Sequence, residues 1–152
     1  MKILEINNLS VKFSQEGTNF QAVKGISFFL NAGEIHGLIG ESGSGKSVAS
    51  QSITRLIEDA TYSGSVNYYT NKQCIDLIQC SNTQLQKIRK EEIAYIFQEP
   101  MTALNPLITC GDQIIESSYT KNNDILYDLL NKVELTDVER IAKSYPHELS
   151  GG

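Results

Sequence analysis

Cysteine is scarce in this chain. Cys74, Cys80 and Cys110 are odd in number and include no Cys-x-x-Cys, which excludes a disulfide framework or a zinc site and points to reduced thiols. Long apolar runs are missing too, since no stretch approaches the roughly 18 consecutive apolar residues of a membrane span. The opening Met1-Lys2-Ile3-Leu4-Glu5 places an acid where a secretory signal has its apolar core, so a cytoplasmic location is expected. Positive charge is in deficit: 13 Lys and Arg against 18 Asp and Glu leave a formal charge of -5, which disfavours nucleic acid as a partner. The one basic cluster, Lys87, Arg89 and Lys90, runs straight into Glu91 and Glu92 and reads as a solvated helix end. There is no internal repeat, low-complexity tract or obvious flexible linker.

With 152 residues, 40% of them hydrophobic and 20% charged, the chain has the size and composition of one globular domain. Short β-type runs come first, over Ile3 to Ile6, Leu9 to Phe13, Ile26 to Leu30 and Glu34 to Ile39, with a turn at Asn31-Ala32-Gly33. From Lys46 to Ile57 the period changes: Val48, Ala49, Ile53, Leu56 and Ile57 form one helical stripe. Gly64 to Thr70 predicts another strand, and Ser81 with Gln84 predicts a capped helix through about Lys90. Ile93 to Phe97 returns to strand. Past Pro100 and Pro106 the pattern is helical over Asp112 to Ser118 and Ile125 to Val133, with a third segment opened by the pair Thr136 and Glu139. The expected architecture is an α/β core with an N-terminal antiparallel β portion and a following α-helical subdomain, divided into residues 1–97 and 98–152.

Between the Glu34 to Ile39 run and the helical stripe lies Gly40-Glu41-Ser42-Gly43-Ser44-Gly45-Lys46-Ser47, which matches Gly-x-x-x-x-Gly-Lys-Ser/Thr. Glycines at this spacing let the backbone turn its N–H groups inward around phosphate oxygens, while the following helix presents the positive end of its dipole. Lys46 is placed to reach the β and γ phosphates, and Ser47 to offer a hydroxyl to Mg2+, a hard cation. The expected ligand is therefore a nucleoside triphosphate. The loop by itself does not separate transporters from kinases, GTPases or motors.

Three further segments narrow that choice. Ala94-Tyr95-Ile96-Phe97-Gln98-Glu99-Pro100-Met101-Thr102-Ala103-Leu104-Asn105-Pro106 resembles the Q-loop of ATP-binding cassette (ABC) proteins, in the form found in ATPase subunits of oligopeptide, dipeptide and nickel importers. Tyr145-Pro146-His147-Glu148-Leu149-Ser150-Gly151-Gly152 resembles the family signature and its approach. Ala22-Val23-Lys24-Gly25-Ile26-Ser27-Phe28 and the stretch from Gly37 through the loop are similar to the same subfamily, in the same order. The resemblance implies a P-loop NTPase core of ABC type, ending at the signature. It implies that Phe13 stacks on adenine, with Phe20 as a possible substitute, and that Gln98 faces Mg2+ or the attacking water. It implies that Ser150, Gly151 and Gly152 grip the ATP held by a partner ATPase subunit, identical or different.

The same resemblance implies permease subunits as partners, a substrate-binding protein acting indirectly, and a peripheral place on the inner face of the cell membrane. The family's catalytic glutamate follows the Walker B aspartate on an apolar strand beyond the signature. The 152 residues hold no such strand; Glu99 follows Gln98, but no aspartate precedes it. His36 and His147 do not stand in the family's switch-histidine position. Normal steady-state ATPase activity is therefore not expected of these residues alone, and low solubility or association is expected if core strands are lacking. Two other readings stay open at this level: a non-transport ABC protein of DNA repair or translation, and a non-catalytic chain that binds nucleotide or a partner subunit.

Overall fold

The computed structural model describes residues 1–15, 18–71, 73–99, 103–118 and 122–149. Two compact units are present, Met1–Ala94 and Tyr95–Gly152.

The first unit is built on a long hairpin, β1 (Lys2–Gln15) and β2 (Thr18–Asn31), to which β3 (Ala60–Tyr69) and β4 (Cys74–Asp76) add in the order β2-β1-β3-β4. All pairings are antiparallel; β1 with β2 and β3 with β4 are joined by short hairpin connections, while β3 reaches β1 only after the long stretch that carries α1. Ile6, Leu9, Val11, Val23 and Val66 fill the core with Ala49 of α1 (Lys46–Ile53) and Leu85 and Ile88 of α2 (Asn82–Glu91). A bulge interrupts the ladder: Ile6 pairs with Phe28 but Leu9 with Ile26, and Asn7 pairs with Ser65 but Ser10 with Ser63. At its centre Asn8 takes φ +50, and its N–H donates to Ser27 Oγ at 2.8 Å. Gly64, at φ +89, lies against the carbonyls of Asn7 and Asn8, where a Cβ would not fit. The bulge therefore explains why the sequence shows two short runs where the structure has one bent strand.

Two expected strands do not form ladders. Glu34 to Ile39 has no strand partner among the described residues, and Ile35 and Ile39 lie fully open. Its apolar run lacks period-2 alternation, the pattern of a strand covered on both faces, and the one-sided antiparallel sheet provides no such place. Ile93 to Phe97 is likewise without a ladder among the described residues. Two helices also differ from expectation. α1 stops at Ile53 rather than Ile57, because Arg55 turns left-handed at φ +52 and Leu56 N–H donates back to Gln51 O at 3.0 Å. The basic cluster is not simply a solvated helix end: Lys87 pairs with Glu91, but the half-buried Arg89 guanidinium donates to Thr54 O at 2.8 and 2.6 Å and to Arg55 O at 2.6 Å. It thereby satisfies carbonyls that the end of α1 leaves open. The start of α2 is as expected, with Ser81 Oγ accepting from Gln84 N–H at 3.2 Å.

In the second unit α3 (Cys110–Ser117), α4 (Asn123–Lys132) and α5 (Val138–Lys143) pack around Leu126, Leu130, Ile141 and Ala142. Thr109 and Asn122 cap α3 and α4 with their side chains. The expected Thr136 and Glu139 pair does not cap α5; Asp137, at φ +60, occupies the N-cap and its carboxylate accepts from Arg140 Nε at 2.9 Å. A single 3-10 turn, Pro146–Glu148, follows, closed by Tyr145 N–H donating to Glu148 Oε2 at 2.8 Å.

Two phenols on β3 set an alkaline limit. Tyr68 donates to Glu92 Oε2 at 2.8 Å, and burial followed by that carboxylate pushes its pKa up to about 12. Tyr69 donates to Glu5 Oε2 at 2.7 Å, a bond that, with burial, also carries its pKa to about 12. Folding thus favours the protonated phenols. Their contribution is complete below the ordinary value of 10.0 and is lost as pH rises through about 12. The urea midpoint of the Tyr68→Phe, Tyr69→Phe double variant is expected to fall less steeply than the parent's across that window. Equal slopes would remove these phenols from the account.

Candidate functional site

The Gly40–Ser47 loop leads directly into α1, the place that local chemistry requires. Gly45 is the N-cap of α1 at φ +88, and its carbonyl accepts Ala49 N–H at 2.8 Å to start the helix. A Cβ there would fall within 3.0 Å of the Ala22 carbonyl oxygen, so glycine lets the loop lie directly on β2. Gly43 is also left-handed, at φ +77, but faces open space. Ser44 N–H closes the turn onto Glu41 O at 3.2 Å, and a Cβ on Gly40 would come to 2.8 Å from Ser44 Oγ. Lys46 folds back over this turn, its Nζ donating to Gly40 O at 2.8 Å and Glu41 O at 2.6 Å and lying 3.5 Å from Ser44 Oγ. The cation therefore stands inside the loop with neutral carbonyl partners and, among the described residues, no carboxylate pairs with it. Ser47 is exposed in the first turn of α1.

Around the loop opens a hollow of about 560 Å³, lined by Gly40, Gly43, Ser44, Gly45 and Lys46, by Leu38 and Ile39, and by β2 residues including Phe20. A second, wider hollow of about 1120 Å³ holds Phe13, Phe20, Ile57, Glu58 and Asp59. Phe20 borders both. Phe13, its partner across the hairpin, borders the second hollow and packs against the core, whereas Phe20 is 64% exposed. The pairing of the two rings across β1 and β2 was not legible from spacing, because it depends on hairpin register.

The remaining predicted residues are placed separately. Gln98 is exposed in a bend of the second unit. Ser150, Gly151 and Gly152 lie outside the described residues, as do Pro100, Met101 and Thr102 of the Gln98 segment. His36 stacks on Phe28 at 5.4 Å, and His147 on Tyr145 at 5.8 Å, which gives both histidines local packing roles. Sequence reasoning did not foresee Gln113. Its side chain accepts from Asn105 N–H at 2.8 Å and donates to Asn105 O and Ile108 O, fixing the turn after the Gln98 segment.

A family profile described as ABC transporter matches residues 23–152. The chain belongs to the ABC transporter family. Among curated proteins, this ABC chain is 41% identical over 163 residues to the dipeptide transport ATP-binding protein DppD of Bacillus subtilis, covering 99% of itself and 47% of DppD. It is 37% identical over 161 residues to the glutathione import ATP-binding protein GsiA of Salmonella choleraesuis, covering 26% of that protein. The chain thus spans a quarter to a half of the length of these relatives. Among solved structures, it resembles the dimeric ATP-binding cassette MJ0796 bound to ADP and Pi, a post-hydrolysis state, with a TM-score of 0.75 and 25% identity over 97% of this chain and 63% of that one. As an ABC protein it has the fold of the corresponding part of an ATP-binding cassette, and no helix among its described residues is long and apolar enough to cross a membrane.

Proposed function

We propose that the chain binds Mg-ATP at Gly40 to Ser47 as the ATP-binding part of an importer for peptides or a related small solute such as nickel. The observation that carries this reading is the position of Lys46, held by two loop carbonyls between left-handed glycines and the N-terminus of α1. A triphosphate offers a charged acceptor that outcompetes those neutral carbonyls for the ammonium. The names of the relatives, glutathione import and dipeptide transport, support the class of cargo.

The residues present fit a magnesium ion. Ser47 gives an exposed hydroxyl oxygen beside the phosphate cradle, the donor type a hard cation takes. When bound, the ion neutralises charge on the β and γ phosphate oxygens. Gly43, Gly45 and Lys46 supply N–H donors around the phosphates, Ser44 joins them by exchanging Glu41 O for a phosphate oxygen, and Ser42 and Gly40 complete the turn. Gln98 is proposed to position the ion and the water, and Ser150, Gly151 and Gly152 to reach the ATP of a second ABC ATPase subunit. Permease subunits at the inner face of the membrane are the proposed mechanical partners. The 152 residues contain neither a Walker B pair nor a switch histidine, so binding rather than turnover is proposed for them.

Of the two aromatics, the placement favours Phe20 as the ring that stacks on adenine, because it borders the loop hollow and Phe13 does not. Phe20→Ala is expected to weaken ATP binding about tenfold, from a stacking contribution of roughly 1–3 kcal/mol, and to leave tripolyphosphate binding unchanged. Phe13→Ala is expected to lower thermal stability with little effect on ATP affinity. Calorimetric titration of both variants tests the assignment, and the reverse pattern returns the role to Phe13.

A further inference from the structure

On the side of the first unit where the end of α1 meets α2 lies another hollow, of about 370 Å³, lined by Arg55, Glu58, Tyr62, Asn82, Gln86 and Arg89 among others. Asn82, Gln86 and Arg89 share one face of α2 at helical spacing, and Arg55 reaches the same place because its left-handed backbone turns it out of α1. Both guanidiniums are half-buried, and neither forms an ion pair among the described residues. Arg55 donates to Cys80 O at 3.1 Å and Asn82 Oδ1 at 3.0 Å, two of the five N–H groups a guanidinium carries. Arg89 makes three bonds, all to the carbonyls of Thr54 and Arg55. Every one of these acceptors is neutral, so two positive charges meet in a partly dry hollow where the exposed Glu58 of the lining pairs with neither of them among the described residues. Asn82, its oxygen taken by Arg55, is left with its amide N–H groups to donate, and the Tyr62 hydroxyl is committed to Ile57 O at 2.7 Å. The two charges are felt locally: burial raises the Tyr62 pKa, while Arg55 and Arg89 pull it the other way.

Arg89 closes the end of α1 and Arg55 ties the same corner to Cys80 O and Asn82 Oδ1, yet the bonds found among the described residues leave N–H groups to spare on both guanidiniums. We propose that this hollow is a binding site for an oxyanion, a phosphate or carboxylate group, held by the remaining N–H donors of Arg55 and Arg89 and the amides of Asn82 and Gln86. Guanidinium groups suit such an anion because their forked donors match its oxygens. Glu58, exposed at the rim, opposes the ligand and keeps the site weak enough to exchange. The site is separate from the phosphate loop and stands whether or not that loop binds ATP.

The test uses the full chain carrying Lys46→Ala, so that the loop does not compete, and follows the arginine Nε–Hε signals by NMR during titration with phosphate, acetate or, as an ionic-strength control, chloride. Saturable shifts of Arg55 and Arg89 with phosphate or acetate are expected, and whichever saturates first identifies the group. Gln86→Glu, at an exposed helix position, sets a carboxylate beside the arginines and is expected to weaken the anion at least about tenfold, as lost charge-assisted bonds should. Glu58→Gln is expected to tighten it about threefold. Shifts no different from chloride, or unchanged affinity in a folded Gln86→Glu variant, would overturn the proposal.

Discussion

Lys46→Ala is expected to lower ATP affinity by about 100-fold or more while leaving the fold intact. In the free chain the ammonium donates to Gly40 O and Glu41 O, both on exposed residues. Water replaces the lysine there, so each lost bond costs about 1 kcal/mol or less in stability. In the nucleotide complex the same ammonium is assigned to anionic β and γ oxygens, where a charge-assisted bond contributes about 1.5–3 kcal/mol, and two of them account for about two to four orders of magnitude. The contrast between a large affinity loss and a small shift in melting temperature separates a phosphate ligand from a structural lysine. Calorimetric titration with ATP and a thermal melt of the same sample give both numbers. A variant that still binds ATP within a few-fold of the parent would contradict the assignment of Lys46.

The second large effect belongs to Gly45→Ala. An alanine there has to hold φ near +88, a conformation that costs an L-residue about 1–2 kcal/mol. Its Cβ would also press on the Ala22 carbonyl, so α1 and β2 must separate and Ala49 must withdraw from the core cluster it shares with Val23. A total loss of about 3 kcal/mol is expected, together with loss of ATP binding because the helix N-terminus moves. Gly43→Ala is the control. Its backbone is equally left-handed, but nothing lies within 4 Å, so in the absence of nucleotide it should cost about 1–2 kcal/mol and no more. Denaturation midpoints of the two variants measure the difference, and equal losses would mean that strand contact is not what requires glycine at Gly45.

What could be read in advance was what local chemistry decides. The tight glycine turn before α1, the start of α1 after Gly45, and the Ser81 cap of α2 depend on residues a few positions apart, and each appears in the structure. Glu34 to Ile39 was misread as a strand because apolar content alone favours extension, whereas a ladder needs a neighbour that no local pattern reveals. Arg89 was misread for a related reason. A charge beside Lys87 and Lys90 looks solvated, and only the left-handed turn at Arg55, which brings the end of α1 against α2, shows that it has carbonyls to serve. Which of Phe13 and Phe20 borders the loop hollow is likewise a matter of hairpin register, which spacing does not reveal. Family membership was legible because four motifs fall in the right order, and the profile match over residues 23–152 agrees.

The Gly40 to Ser47 loop is the proposed seat of the triphosphate. Its most direct test is an NMR titration of the labelled full chain with Mg-ATP, following backbone amides residue by residue. The amides of Gly43, Ser44, Gly45 and Lys46 are expected to show the largest and saturable shifts in the molecule, with Phe20 ring protons moving in step. Saturable binding that leaves those four amides unmoved, or no binding at all, would contradict it.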